Sequence, residues 1–182
     1  MKGNIVFIGG IHGVGKGTLC KSIASELGII HLTASEVLKW SDFTTDSTDK
    51  HVADILVTQD RLLLNLEKIV QPEQTYLLDG HFCLFNNEGN IEKIPDETFI
   101  GINPLKLILV TEDPELITKR LSQRDGKEYD YHLLKQMQES EKEHALHISK
   151  LLNIRMCEIH SNSYAALKEE ITDIEKIIAD CE

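Results

Sequence analysis

Apolar residues follow two alternating rhythms along this chain. The first is a short, unbroken apolar run rich in β-branched and aromatic residues, the pattern of a strand buried on both faces. Asn4 to Gly9 (N-I-V-F-I-G), Ile29 to Leu32, Tyr76 to Gly80 (Y-L-L-D-G), Leu105 to Val110 and Ile154 to Ile159 are of this kind. The second rhythm is a recurrence every three or four residues, which predicts amphipathic helices. Leu19, Ile23 and Leu27, with Cys20 and Ala24 beside them, form one such stripe, and Gly28 follows it as a C-terminal cap. A short helix is expected from Ser35 to Trp40 and a longer one from Ile55 to Val70, stopped before Pro72. Pro114 opens a helix at its first turn, where the missing N–H costs nothing, and that helix runs to Arg124. Asp130 to Leu152 and Tyr164 to Ile178 complete the set, and Ser41 to Asp49 reads as a polar loop.

Strands that alternate with helices argue for an α/β fold: a three-layer α/β/α sandwich on a mostly parallel sheet of five strands, with right-handed crossovers. Ligands in such sheets bind at the carboxyl ends of the strands. Gly10 to Thr18 and Asp79 both fall at such ends.

At 182 residues the chain suits a single domain. Thirty acidic residues against nineteen basic ones leave a formal charge of −11, and no long basic run is present, so stable nucleic-acid binding is not expected. Cys20, Cys83, Cys157 and Cys181 form no C-x-x-C pair, which points to neither a zinc framework nor disulfides and fits a reducing, cytoplasmic compartment. The apolar run near the N-terminus is far shorter than the roughly 20 residues of a membrane span.

The most specific signal is G-I-H-G-V-G-K-G-T from Gly10 to Thr18, set between a strand and a helix. Gly10, Gly13, Gly15 and Gly17 allow a tight loop whose backbone N–H groups, with His12 and Val14 among them, converge on a phosphate. The helix after the loop adds its positive end. Lys16 can reach the outer phosphates, and the Thr18 hydroxyl suits magnesium. Asp79, closing an apolar strand, is placed to hold the magnesium water shell as a second metal-site residue.

The G-x-x-G-x-G-K-G-T form resembles that of adenylate kinases and their nucleoside monophosphate kinase relatives. Ala34-Ser35-Glu36-Val37-Leu38-Lys39 is similar to their T-G-D-L-L-R segment, with Lys39 where an arginine grips the acceptor phosphate. Leu78-Asp79-Gly80-His81-Phe82 is similar to their D-G-F-P-R segment, with Cys83 where a second such arginine falls. Ile117 to Arg124 resembles their E-x-x-x-R-L-x-x-R lid segment, so Arg120 and Arg124 carry over as phosphate clamps, and the helix bearing Glu139, Glu141 and Glu143 looks closest to archaeal-type adenylate kinases. The resemblance implies an acceptor-side insert over about 34–70, a short lid over about 120–135, and Asn162 with Ser161 where the donor adenine packs. Gln59, near Arg61 and Lys50, flanks the acceptor region, and His81 lies just beyond Asp79. His144 and His147, beside Glu143, read as an amphipathic face.

Motif and resemblance together lead to the expectation of a magnesium-dependent enzyme that moves the γ-phosphoryl group of ATP to a nucleoside monophosphate, AMP first. Lys16, Arg120 and Arg124 are its catalytic set. Two alternatives share the sequence features: a kinase of the same fold for a deoxynucleotide or a small hydroxyl compound, and an ATP-binding regulatory module.

Overall fold

The computed structural model describes residues 3–39, 55–86 and 88–179. Trp40, the expected loop from Ser41 to Asp49, Lys50 and Cys181 lie outside the described residues.

Five strands build the central sheet: β1 (Asn4–Gly9), β2 (Ile30–Thr33), β3 (Thr75–Asp79), β6 (Lys106–Thr111) and β7 (Met156–His160). Their order is β2-β3-β1-β6-β7 and every pairing is parallel. The expected sandwich is therefore present, with a five-stranded sheet that is parallel throughout. Side chains of β1 alternate between two cores. Val6 and Ile8 enter one face with Leu77, Ile108 and Val110, while Ile5 and Phe7 enter the other with Leu78, Leu107 and Leu109. Burial on both faces is why these strands read as unbroken apolar runs.

The first face is covered by α1 (Lys16–Leu27), α5 (Pro114–Asp125) and α7 (Tyr164–Ala179), through residues such as Ile23, Leu121 and Leu167. The second is covered by α2 (Ala34–Lys39), α3 (Ile55–Ile69), α4 (Asp96–Ile102) and the C-terminal half of α6 (Tyr131–Leu152). Buried Asn65 ties α3 to α2 by donating to the Val37 carbonyl at 2.8 Å. Helix ends behave as their residues dictate. Gly28 caps α1 in the left-handed region, Asp113 accepts the Glu115 N–H at the start of α5, and Asp130 accepts from His132 and Leu133 at the start of α6.

Three small elements were not expected from the pattern. Cys83–Phe85 (β4) and Ile91–Lys93 (β5) form an antiparallel hairpin, its turn organised by Asn86 Oδ1, which accepts the N–H groups of Glu88 and Asn90. Helix α4 follows directly after Pro95. These elements bring Phe82 and Phe99 against Phe7, with ring centroids 5.1–5.3 Å apart. Phe82 also closes over Gly9, where an added Cβ would lie 2.2 Å from its ring. The aromatic cluster thus sets the floor beside the glycine loop. Phe82→Ala should lower stability by about 3–5 kcal/mol in urea denaturation. An unchanged midpoint would show that the cluster does not brace the sheet.

Candidate active site

The loop from Gly10 to Gly15 turns the chain from β1 into α1. Gly10 has φ of 141°, and a Cβ there would stand 2.5 Å from the Val110 carbonyl, so no other residue fits. Gly17 differs, for its φ is helical and a Cβ would meet only the Asp79 carboxylate at 3.6 Å. Its small size keeps the ground in front of Asp79 open. Val14 is wholly buried, whereas His12 and Thr18 face outward and line the cleft above the loop.

Lys16 is 6% exposed and its ammonium donates to the carbonyls of Gly10 at 2.6 Å and Ile11 at 3.3 Å. Asp79 Oδ1 lies 3.9 Å away. Burial pulls the Lys16 pKa below the ordinary lysine value, and the negative charges of Asp79 and Glu141 oppose that pull. His12 keeps one edge open to the cleft while its ring lies 4.1 Å from that of His81. Enclosure, then the neighbouring His81, Lys16 and Arg124 charges, lower its pKa to about 4, so His12 is neutral at pH 7.

Arg120 is held by a group that the sequence pattern does not single out. Glu112, at the end of β6, is 4% exposed and accepts from Arg120 Nη2 at 3.0 Å and from the Ser161 hydroxyl, and it pairs with His160 Nε2 at 2.8 Å. The other amine of Arg120 donates to the Val14 carbonyl at 3.3 Å. The guanidinium therefore bridges β6 to the phosphate loop. Burial alone would raise the Glu112 pKa, but donation from Ser161 and the Asp113 N–H, with His160 and Arg120, takes it below the usual range. Arg124, one turn on, forks onto Asp125 at 2.7 and 2.8 Å and also lines the cleft. Ser161 lines it as well, whereas Asn162 is exposed, engages His160 at 3.0 Å and is not part of the lining.

Across the cleft stand Thr33, Ser35, Thr58 and buried Gln59. Thr33 caps α2: it accepts the Glu36 N–H at 3.2 Å and donates to the Glu36 carboxylate at 2.7 Å. Lys39 is exposed at the end of α2 and is not in the lining. His81 is in the lining, with its Nδ1 3.5 Å from Glu141. Cys83 is wholly buried, its N–H donates to Glu141 at 3.2 Å, and burial pushes its thiol up to about 12. An uncharged buried thiol thus occupies the position where the resemblance places an arginine. The stretch 126–130 between α5 and α6 is all that separates those helices where a lid is expected. His144 is buried and bonds the Ile94 carbonyl at 2.7 Å, whereas His147 is exposed and pairs with Asp96.

A parallel sheet whose first strand ends in a glycine loop, with a lysine at the head of the next helix, defines a P-loop protein. The chain belongs to the AAA domain family, whose model matches residues 9–143. It is similar to the probable adenylate kinase 2, chloroplastic, of Oryza sativa subsp. japonica, at 26% identity over 64% of this chain and 41% of that protein. It is also similar to a putative adenylate kinase of Methanocaldococcus jannaschii, at 27% identity over 67% of this chain and 59% of that one. The matched stretch thus spans less than two thirds of either relative. A shikimate kinase structure from Bacteroides thetaiotaomicron shares the fold, with a TM-score of 0.53 and 14% identity over 97% of this chain and 98% of that chain. Among the described residues, no helix is long and apolar enough to cross a membrane.

The Glu112 network has a pH signature. Because the folded pKa is depressed, its stabilisation is present above the unfolded value near 4.5 and is lost as pH falls through the folded value. Glu112→Gln should cost roughly 1–3 kcal/mol at pH 7 and progressively less below pH 4.5, measured by urea denaturation across pH. A cost independent of pH would mean that the charge is not what holds Arg120.

Proposed function

We propose that the chain is a magnesium-dependent phosphotransferase that moves the γ-phosphoryl group of ATP to a small acceptor, with a nucleoside monophosphate, AMP first, as the leading acceptor. The observation that carries this reading is one continuous cleft of about 910 Å³. It runs from the glycine loop, Lys16, Arg120 and Arg124 to the wall of Thr33, Ser35 and Gln59. Donor and acceptor fit side by side there, as in-line transfer requires. The similarity to adenylate kinases supports the acceptor class.

In this mechanism the loop amides and the positive end of α1 bind the donor phosphates. Lys16 exchanges the carbonyls of Gly10 and Ile11 for phosphate oxygens. The Thr18 hydroxyl and the Asp79 carboxylate are hard oxygen donors on the same cleft wall, the set that magnesium takes, and they are the residues that would hold it. The ion, when bound, neutralises charge on the donor phosphates. Arg120, kept over the loop by Glu112, and Arg124, once released from Asp125, meet the charge that spreads over the transferring group. Gln59 and the Thr33 and Ser35 hydroxyls orient the acceptor, and neutral His12 adds no charge beside the phosphates.

One observation favours a second acceptor class. Among the described residues, the lysines and arginines lining the cleft are Lys16, Lys21, Arg120 and Arg124, all from α1 or α5. The opposite wall presents hydroxyl and amide groups, which suits a hydroxyl compound of lower charge.

Incubation with magnesium-ATP and a panel of ribo- and deoxyribonucleoside monophosphates, nucleosides and sugar alcohols separates the readings. ADP should accumulate with a phosphorylated acceptor, a diphosphate for the leading class. ADP release without any phosphorylated product would instead identify an ATPase or regulatory module. Lys16→Ala should reduce transfer to background, and Arg120→Ala should lower kcat by at least about 100-fold with the fold intact by circular dichroism. Wild-type turnover in Lys16→Ala would rule out the assignment of the loop.

A further inference from the structure

Behind the phosphate loop, where α1 packs on the β2 edge of the sheet, three groups converge that phosphotransfer does not use together. Cys20 lies four residues after Lys16 on α1, His31 sits on β2, and Asp79 closes the neighbouring β3. One ligand atom from each, the thiol sulfur, an imidazole nitrogen and a carboxylate oxygen, lies within 4.8 Å of the other two. His31 Nε2 and Asp79 Oδ2 are 3.8 Å apart.

The independent sign that this is more than a packed corner is His31. Its side chain is only 10% exposed, and its Nε2 is fully desolvated without any hydrogen-bond partner. At 3.8 Å the Asp79 oxygen is too far to accept a hydrogen bond. A buried imidazole nitrogen left unpaired is costly, and the group calls for a partner. The separations suit a metal. Zinc bonds of about 2.0–2.2 Å to nitrogen and oxygen at tetrahedral angles put those two ligand atoms roughly 3.3–3.5 Å apart, so His31 and Asp79 stand within about half an ångström of that spacing. Against the roughly 3.5 Å that separates sulfur from nitrogen or oxygen on such a metal, Cys20 has at most about 1.3 Å to close.

We propose that Cys20, His31 and Asp79 form a three-ligand site for a borderline-soft divalent cation of the zinc class, with its fourth position open to the cleft. Sulfur, nitrogen and oxygen together select zinc or cobalt over magnesium or calcium, which take oxygen alone. Asp79 lines the cleft and supplies the way in, while Cys20 is fully buried and His31 nearly so. Lys16, 3.9 Å from the other Asp79 oxygen, keeps its bonds to the Gly10 and Ile11 carbonyls when Asp79 turns to the metal. Burial and the nearby Asp79 keep the thiol protonated in the metal-free protein. On binding, the S–H bond breaks, the proton passes to solvent and the sulfur lone pair goes to the metal, with no change of oxidation state. Because Asp79 belongs also to the magnesium-ATP site proposed above, the two occupancies compete. That consequence rests on the phosphotransferase reading; the metal site itself does not.

The test uses the nucleotide-free full chain titrated with cobalt(II), followed by its ligand-field bands and by the thiolate-to-cobalt charge-transfer band in the near ultraviolet, with zinc as competitor. One equivalent of cobalt should bind, show the charge-transfer band and be displaced by zinc. Cys20→Ser should lose that band. His31→Gln should keep it and weaken the affinity by at least about tenfold. Absence of the band at saturating cobalt overturns the proposal. So does its persistence in Cys20→Ser, which would assign it to Cys83, Cys157 or Cys181, or an unchanged affinity in His31→Gln. Circular dichroism checks the variants, and should Cys20→Ser fail to fold, His31→Gln and Asp79→Asn decide the matter. Magnesium-ATP binding, measured calorimetrically without cobalt or zinc, tests the other reading separately. Failure there leaves the cobalt result standing, and loss of cobalt binding leaves the ATP site standing.

Discussion

One buried ammonium organises this molecule. Lys16 is almost completely removed from water, and its charge is tolerable only because the carbonyls of Gly10 and Ile11 accept from it and Asp79 faces it. Each of those partners depends on the fold. The Gly10 carbonyl points inward because the chain turns at a φ that glycine alone adopts readily, tight against the Val110 backbone. Asp79 stands opposite because β3 pairs in parallel with β1 and places Asp79 beside Ile8, at the carboxyl edge. The lysine is thus latched by its own loop, and a ligand that offers phosphate oxygens at the same spot can take over its hydrogen bonds.

The same sheet edge organises the second positive group. β6 runs beside β1, so Glu112 emerges next to the loop and grips Arg120, which in turn donates to Val14. Helix α5 is carried on that edge by the Pro114 start and the Asp113 cap. Loop, sheet and α5 therefore share one electrostatic frame, in which Lys16 and Arg120 are held by carbonyls and carboxylates. The opposite wall has a different chemistry, hydroxyl and amide groups above an aromatic floor. Among the described residues, the lysines and arginines of the cleft gather on one side, on α1 and α5.

Much of this was legible in the sequence because local physics decides it. Unbroken apolar runs marked the doubly buried strands, Gly28 and Pro114 marked helix ends, and the G-K-G-T ending marked the loop. The hairpin β4–β5 escaped because three-residue strands are too short to show a period, although the Asn86 to Asn90 turn residues hint at it. Helix α4 spans two turns and has no stripe of its own. Glu112 could not be recognised from T-E-D-P, where it reads as a surface acid before a helix. Only the return of the chain through β7 brings His160 and Ser161 to it. Glu141 was closer to reach. Leu134, Met137, Glu141, His144, Ala145 and Ile148 follow one helical stripe, so a carboxylate and an imidazole on the buried face of α6 are visible in the spacing. Their partners, Cys83 and Ile94, belong to the hairpin region that the pattern did not show. Lys39 and Asn162 lie outside the cleft lining because a resemblance in segment order does not specify where a side chain at a helix end or an exposed loop will face.

The latch itself is open to direct observation. A crystal structure with magnesium and a non-hydrolysable ATP analogue should place the phosphate chain on the amides between Gly13 and Thr18, with the Lys16 ammonium moved from the Gly10 carbonyl onto phosphate oxygens. A nucleotide seated elsewhere, or Lys16 still bonded to Gly10 beneath a bound phosphate chain, would contradict the account.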